Sequence, residues 1–134
     1  MELLVRFENY LKYEKRYAEN TIYSYSHDIM EFIKFMNPLE SNNLSLDKQI
    51  ELVQSVQVKH IRAWMVDMME NDISSRSVNR KIASLSTFYH FLQLENIVET
   101  NPFKLVIKPK QIMPLPSFFS EKDMDLVFEE FIED

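Results

Sequence analysis

Apolar residues recur at intervals of three and four in four separate stretches of this chain, and nowhere do they alternate with polar residues over the length of a strand. Residues 2–16 place Leu3, Leu4, Phe7, Tyr10 and Leu11 on one side of a helix. From Asn20 to Met36 the apolar side holds Ile22, Tyr25, Ile29, Phe32, Ile33 and Met36, and Asn37-Pro38 stops the helix. From Gln57 to Glu70 it holds Val58, Ile61, Trp64, Met65 and Met68, which assigns Trp64 to the core. The last and longest stretch begins with a cap at Ser74 or Ser75 and runs to about Glu95, with Val78, Ile82, Leu85, Tyr89 and Leu92 on a single stripe. These stripes predict an all-α, four-helix domain over residues 1–102.

The segments between and after the helices carry less information. Residues 39–55 mix Ser41, Asn42 and Asn43 with a short apolar pattern, which predicts a loop holding at most a short helix. Residues 103–119 contain Pro109, Pro114 and Pro116 among lysines and have no helical period, so they read as an extended linker. Ser120 then caps an acidic segment, Glu121 to Phe131, whose Met124, Val127, Phe128 and Phe131 would need a partner surface. The expectation is a further helix that starts a second domain at residues 120–134.

The 134 residues include no glycine and no cysteine. Gly-rich phosphate-cradling loops and dinucleotide fingerprints are therefore excluded, and turns that favour a left-handed residue must use another type, such as Asn71-Asp72 after the third helix. Without cysteine there is no disulfide, thiolate metal site or cysteine nucleophile. His27, His60 and His90 show no ligand spacing, so neither a metal nor a cofactor is expected. No apolar run reaches the roughly 18 residues of a membrane span, and no leader pattern opens the chain, so a cytoplasmic protein is expected.

The formal net charge is −6, all of it in residues 120–134; the first 119 residues carry 14 basic and 14 acidic side chains. Within that balance, residues 73–94 hold Arg76, Arg80 and Lys81 without an acid, and residues 100–119 hold Lys104, Lys108 and Lys110 without one. Winding the fourth helix puts Arg76, Arg80, Ala83 and Thr87 opposite its apolar stripe, flanked by Asn79 and Ser84. Such a face suits a nucleic-acid groove, because guanidiniums pair with phosphate or guanine, Asn79 could read adenine, and small residues allow close approach. On the second helix Ser24, His27 and Lys34 form the polar face, while Asn20 and Thr21 lie in the first turn, where free amides favour a phosphate. Both faces are also compatible with ordinary solvated helix surface.

The order of several short words resembles a known family. Tyr17-Ala18-Glu19-Asn20-Thr21, Tyr25 and Asp28-Ile29 are followed by Ser77-Val78-Asn79-Arg80-Lys81-Ile82, Leu85, Phe88-Tyr89-x-Phe91-Leu92 and Asn101-Pro102-Phe103. Together they resemble the amino-terminal core-binding domain of tyrosine recombinases, the phage-integrase and Xer-type family, across about residues 3–131. The resemblance implies a four-helix, SAM-like domain that forms one jaw of a clamp on duplex DNA during integration and recombination, with a carboxy-terminal catalytic domain as the other. It implies DNA contacts by Asn20, Thr21 and Ser24 on the second helix and by Arg76, Asn79, Arg80, Lys81 and Ser84 on the fourth.

The family's catalytic arginine, lysine, histidine and tyrosine belong to the carboxy-terminal domain, so no catalytic residue and no cleavage activity are expected here. The chain ends within a helical pattern, which suggests a piece of a longer recombinase, monomeric alone and joined by other protomers on DNA. Three departures stand out: Ser86 where the family often has Arg, Asn71-Asp72 where Gly is usual, and a longer segment from Pro38 to Ser55. The alternative to DNA binding is a helical protein-interaction module that assembles recombinase protomers through the first helix.

Overall fold

The computed structural model describes residues 1–39 and 44–106. The expected linker beyond residue 106 and the expected helix at 120–134 lie outside the described residues. The described chain is all-α: α1 (Glu2–Asn9), which runs on through a π turn (Tyr10–Glu14), α2 (Glu19–Met36), α3 (Leu46–Ser55), α4 (Val58–Glu70), α5 (Ser75–Leu94), and a closing 3-10 turn (Pro102–Lys104). The four expected helices form within a residue or two of their expected ends. The short apolar pattern in the expected loop becomes a helix of its own, α3.

That fifth helix has a tertiary job. Ser45 caps it, and its buried Gln49 accepts the backbone N–H of Leu3 through Oε1 at 3.1 Å while donating to the Leu44 carbonyl at 2.9 Å. One amide side chain thus satisfies an orphan donor in the first turn of α1 and pins α3 beneath it.

Three helix ends are closed by a left-handed residue, and none of the three is glycine: Arg16 (φ 55°), Asp72 (φ 63°) and Asn96 (φ 58°). After α4 the Ile73 N–H donates to Met68 O and the Asp72 N–H to Met69 O. After α5 the Ile97 N–H donates to Leu92 O and the Asn96 N–H to Gln93 O, the same paired closure. The turn expected at Asn71-Asp72 is present with the left-handed residue at Asp72; Asn71 stays at φ −93°. After the π turn the closure is one residue wider, with the Tyr17 N–H reaching Leu11 O.

The core lies where α2 and α5 cross, with α1, α4 and the closing turn around them. Phe32 sits at its centre, edge-on to Trp64 (5.0 Å between ring centroids) and to Phe103 (5.3 Å). Phe7 and Phe88 carry the aromatic cluster toward α1 at 5.2 Å. Packing continues through the first residues after 102, since both Phe103 and Val106 are buried. The buried Tyr89 satisfies its hydroxyl by donating to Val53 O at 2.7 Å, which ties α5 to the end of α3. Among the described residues no helix is long and apolar enough to cross a membrane.

Candidate nucleic-acid interface

Ser74 starts α5 as expected: its extended backbone and hydroxyl, which accepts the Ser77 N–H at 3.2 Å, fix the helix phase. With that phase the apolar stripe turns to the core, and Arg76, Arg80 and Ala83 stand exposed in a row that Thr87 continues. Asn79 is half-buried at the edge of this face. Lys81 and Ser84 are buried.

The start of α2 lies alongside. Asn20, Thr21 and Ser24 are exposed, and Ala18 occupies the N-cap with no side chain able to accept a first-turn amide. Between the two helices is a groove of about 280 Å³ lined by Thr21, Ser24, Tyr25, Arg80, Ala83 and Ser84. Four of the eight residues expected to touch DNA therefore share one concavity, although they come from positions more than 50 residues apart. Arg76 and Asn20 lie on the same two helices, outside the groove's lining.

Beneath the groove floor is an ionic cluster centred on Asp28, whose side chain is 1% exposed. Asp28 Oδ2 accepts from Arg80 Nη1 at 2.7 Å and from Ser84 Oγ at 2.8 Å, and Oδ1 accepts from Lys81 Nζ at 3.3 Å. Lys81 Nζ also donates to Glu31 Oε2 at 2.6 Å. A carboxylate so fully desolvated persists only with this density of charge-assisted donors. Lys81 and Ser84 are thus occupied inside the domain, while Arg80 spends one nitrogen on Asp28 and keeps a side chain 52% exposed above the groove.

Asp28 and Glu31 were not singled out as site residues by the sequence. The available signal is positional: on the α2 wheel Asp28 falls beside Phe32, at the margin of the apolar stripe, where an acid needs a buried partner. Likewise Lys81 directly precedes the buried Ile82, at the margin of the α5 stripe.

His27 Nδ1 and carboxylate oxygens of Asp28 and Glu31 lie within 4.8 Å of one another, the only such trio among the described residues. The Lys81 ammonium already bridges both carboxylates and supplies the positive charge a cation would bring. His60 is engaged elsewhere, its Nδ1 accepting the Gln57 N–H at 2.9 Å at the start of α4. His90 is exposed.

Ser86 faces the chain's return. Asn101 Nδ2 donates to its carbonyl at 3.0 Å and to its hydroxyl at 3.2 Å, and Asn101 Oδ1 accepts the Phe103 N–H. The side chain at this position is used to seat the Asn101-Pro102 turn.

Comparison with known proteins agrees with this architecture. Residues 4–96 match the family described as phage integrase, N-terminal SAM-like domain. The tyrosine recombinase XerC of Anoxybacillus flavithermus is 38% identical over 122 residues, covering 91% of this chain and 38% of that protein. The XerC of Listeria welshimeri is 34% identical over 129 residues, 96% of this chain and 40% of that protein. Among solved structures, an integrase from mycobacterium phage Brujita superposes with a TM-score of 0.61 at 16% identity over 92% of this chain and 38% of that one, a likeness of fold. The chain spans about two-fifths of the length of these recombinases, and its match is to the amino-terminal SAM-like domain of the family. With five helices among its described residues, an α2–α5 groove and a match over residues 4–96, the chain belongs to the phage integrase N-terminal SAM-like domain family of the tyrosine recombinases.

Proposed function

We propose that this domain binds duplex DNA through the groove between the start of α2 and the outer face of α5, as one jaw of a clamp in site-specific recombination. The observation that carries this is the juxtaposition of Thr21 and Ser24 with Arg80 and Ala83 along one groove. Arg76 extends its positive charge along α5, and the side-chain-uncapped first turn of α2 offers amides to a phosphate. Arg76, Arg80, Asn20, Thr21 and Ser24 are the contacting residues. Lys81 and Ser84 act from beneath, by holding the groove together, and Asn79 stands at its rim.

Residues 1–102, with the packed turn through Val106, supply the jaw, the rest of 103–119 the tether and 120–134 the start of the catalytic domain of a longer recombinase. These 134 residues bind without cleaving. Affinity of the lone jaw is modest, because a clamp gains from tethering its halves. The partners are duplex DNA, the catalytic domain and other protomers assembled on the same site; the lone domain is monomeric and works in the cytoplasm.

Fluorescence-anisotropy titration against duplex DNA at several salt concentrations, beside Arg76→Ala, tests the proposal. Affinity that falls steeply with salt, with a shallower slope for Arg76→Ala, supports it. Equal binding by both proteins, or none at low salt, removes it.

One observation favours a second surface of the interaction-module kind. A groove of about 550 Å³ between the first helix and the end of α5 is lined by Tyr10, Tyr13, Phe91 and Leu94 among charged neighbours, with Tyr13 and Leu94 exposed. Salt-insensitive self-association in sedimentation would move the function there.

A further inference from the structure

Arg80 and Arg76 lie one helical turn apart on the same face, yet their surroundings differ. Arg76 has an exposed side chain near the start of α5. Arg80 has Nη1 fixed at 2.7 Å from an oxygen of Asp28, a carboxylate that Ser84 and Lys81 in turn hold in place. A planar guanidinium tethered through one terminal nitrogen cannot swing freely. Its remaining N–H groups are thereby held in one plane in a groove that Thr21, Ser24, Tyr25 and Ala83 also line.

We propose that Asp28 is a positioning residue for DNA recognition: it pre-orients Arg80 so that its free N–H groups meet a pair of acceptor atoms on the duplex. The inference rests on the DNA-binding role proposed above and adds a division of labour to it. Arg76 contributes charge that any phosphate can use, whereas Arg80 contributes geometry. The matching chemistry is an acceptor pair spaced for two parallel N–H donors, offered both by a phosphate and by the O6/N7 edge of guanine. Because the guanidinium is already ordered in the free domain, less conformational freedom is lost on contact. Lysine could not substitute, since a single ammonium drawn to Asp28 leaves no second donor plane facing the groove.

The test is a double-mutant cycle on DNA affinity, with Asp28→Asn, Arg80→Ala and the pair, using a mixed-sequence duplex at low salt on protein shown folded by circular dichroism. Arg80→Lys is a companion variant that keeps both the charge and an ion-pair partner for Asp28. A positioning role predicts that Asp28→Asn weakens binding about fivefold to tenfold when Arg80 is present and has little further effect in the Arg80→Ala background. Arg80→Lys should lose about as much affinity as Arg80→Ala.

Selection from a randomised duplex pool then separates the two acceptor sources. Loss of one guanine preference in Arg80→Ala places the contact on a base, and a uniform loss places it on the backbone. Equal effects of Asp28→Asn in both backgrounds would reduce Asp28 to a structural or long-range electrostatic role and overturn the inference, as would wild-type affinity in Arg80→Lys. If wild type does not bind at all, the DNA-binding proposal fails and this inference with it; if wild type binds and the cycle is additive, only this inference fails.

Discussion

The ammonium of Lys81 lies 2.6 Å from the carboxylate of Glu31, drawing the middle of α5 onto the middle of α2 from inside the domain. The same nitrogen reaches Asp28, so one lysine with an 8% exposed side chain serves both the buried Asp28 and the partly exposed Glu31. Replacing it by Lys81→Met, similar in length but uncharged, leaves Asp28 hydrogen-bonded only by Arg80 and Ser84. Removing one partner of a buried ion pair is far more damaging than exchanging both. Urea denaturation should show a loss of about 3 kcal/mol, the lower end of the range for broken buried pairs, because two donors remain. A change below about 0.5 kcal/mol would mean the cluster is solvated in solution.

Tyr89 gives the domain a defined alkaline limit. Burial pushes its phenol well above the ordinary value of 10.0. The protonated form is therefore favoured in the folded state, and the stability it provides is intact below about pH 10, where the unfolded chain also keeps its proton. Above that the unfolded phenol ionises first, and stability falls by about 1.4 kcal/mol per pH unit until the folded group titrates. Tyr89→Phe should remove this part of the alkaline slope. It should also cost about 1 kcal/mol at neutral pH, because the Val53 carbonyl loses its donor. Chemical denaturation between pH 8 and pH 11 measures both effects.

Closing helices without glycine leaves recoverable stability. Arg16 takes a left-handed conformation at φ 55° with a side-chain type poorly suited to it, whereas Asp72 and Asn96 are types that tolerate that region better. Arg16→Gly should raise stability by about 0.5–1 kcal/mol, and Asn96→Gly by less. Thermal melts of the two variants rank them; a larger gain for Asn96→Gly would contradict the backbone explanation.

How far the sequence revealed the fold depends on how local each determinant is. The periods of α2, α4 and α5 are set by residues three and four apart, so their ends were legible to within about a residue. The help α3 gives to α1 was not, because Gln49 acts on Leu3 across 46 positions and a short amphipathic pattern says nothing of that partner. The same distinction divides the candidate interface. The exposed row Arg76, Arg80, Ala83 follows from helix geometry alone. Lys81 and Ser84 resembled surface polar groups until α2 brought Asp28 beneath them, from 53 and 56 positions away. Charge type suggested solvent, and the long-range partner decided otherwise.

The most direct test of the groove as a DNA surface is residue-resolved mapping of amide chemical-shift changes as duplex DNA is added to the isotope-labelled domain. The largest changes should fall at residues 18–25 and 76–87, with α3 and the first turn of α1 unaffected. Changes concentrated on Tyr10, Tyr13, Phe91 and Leu94, with residues 18–25 and 76–87 silent, would contradict the α2–α5 interface.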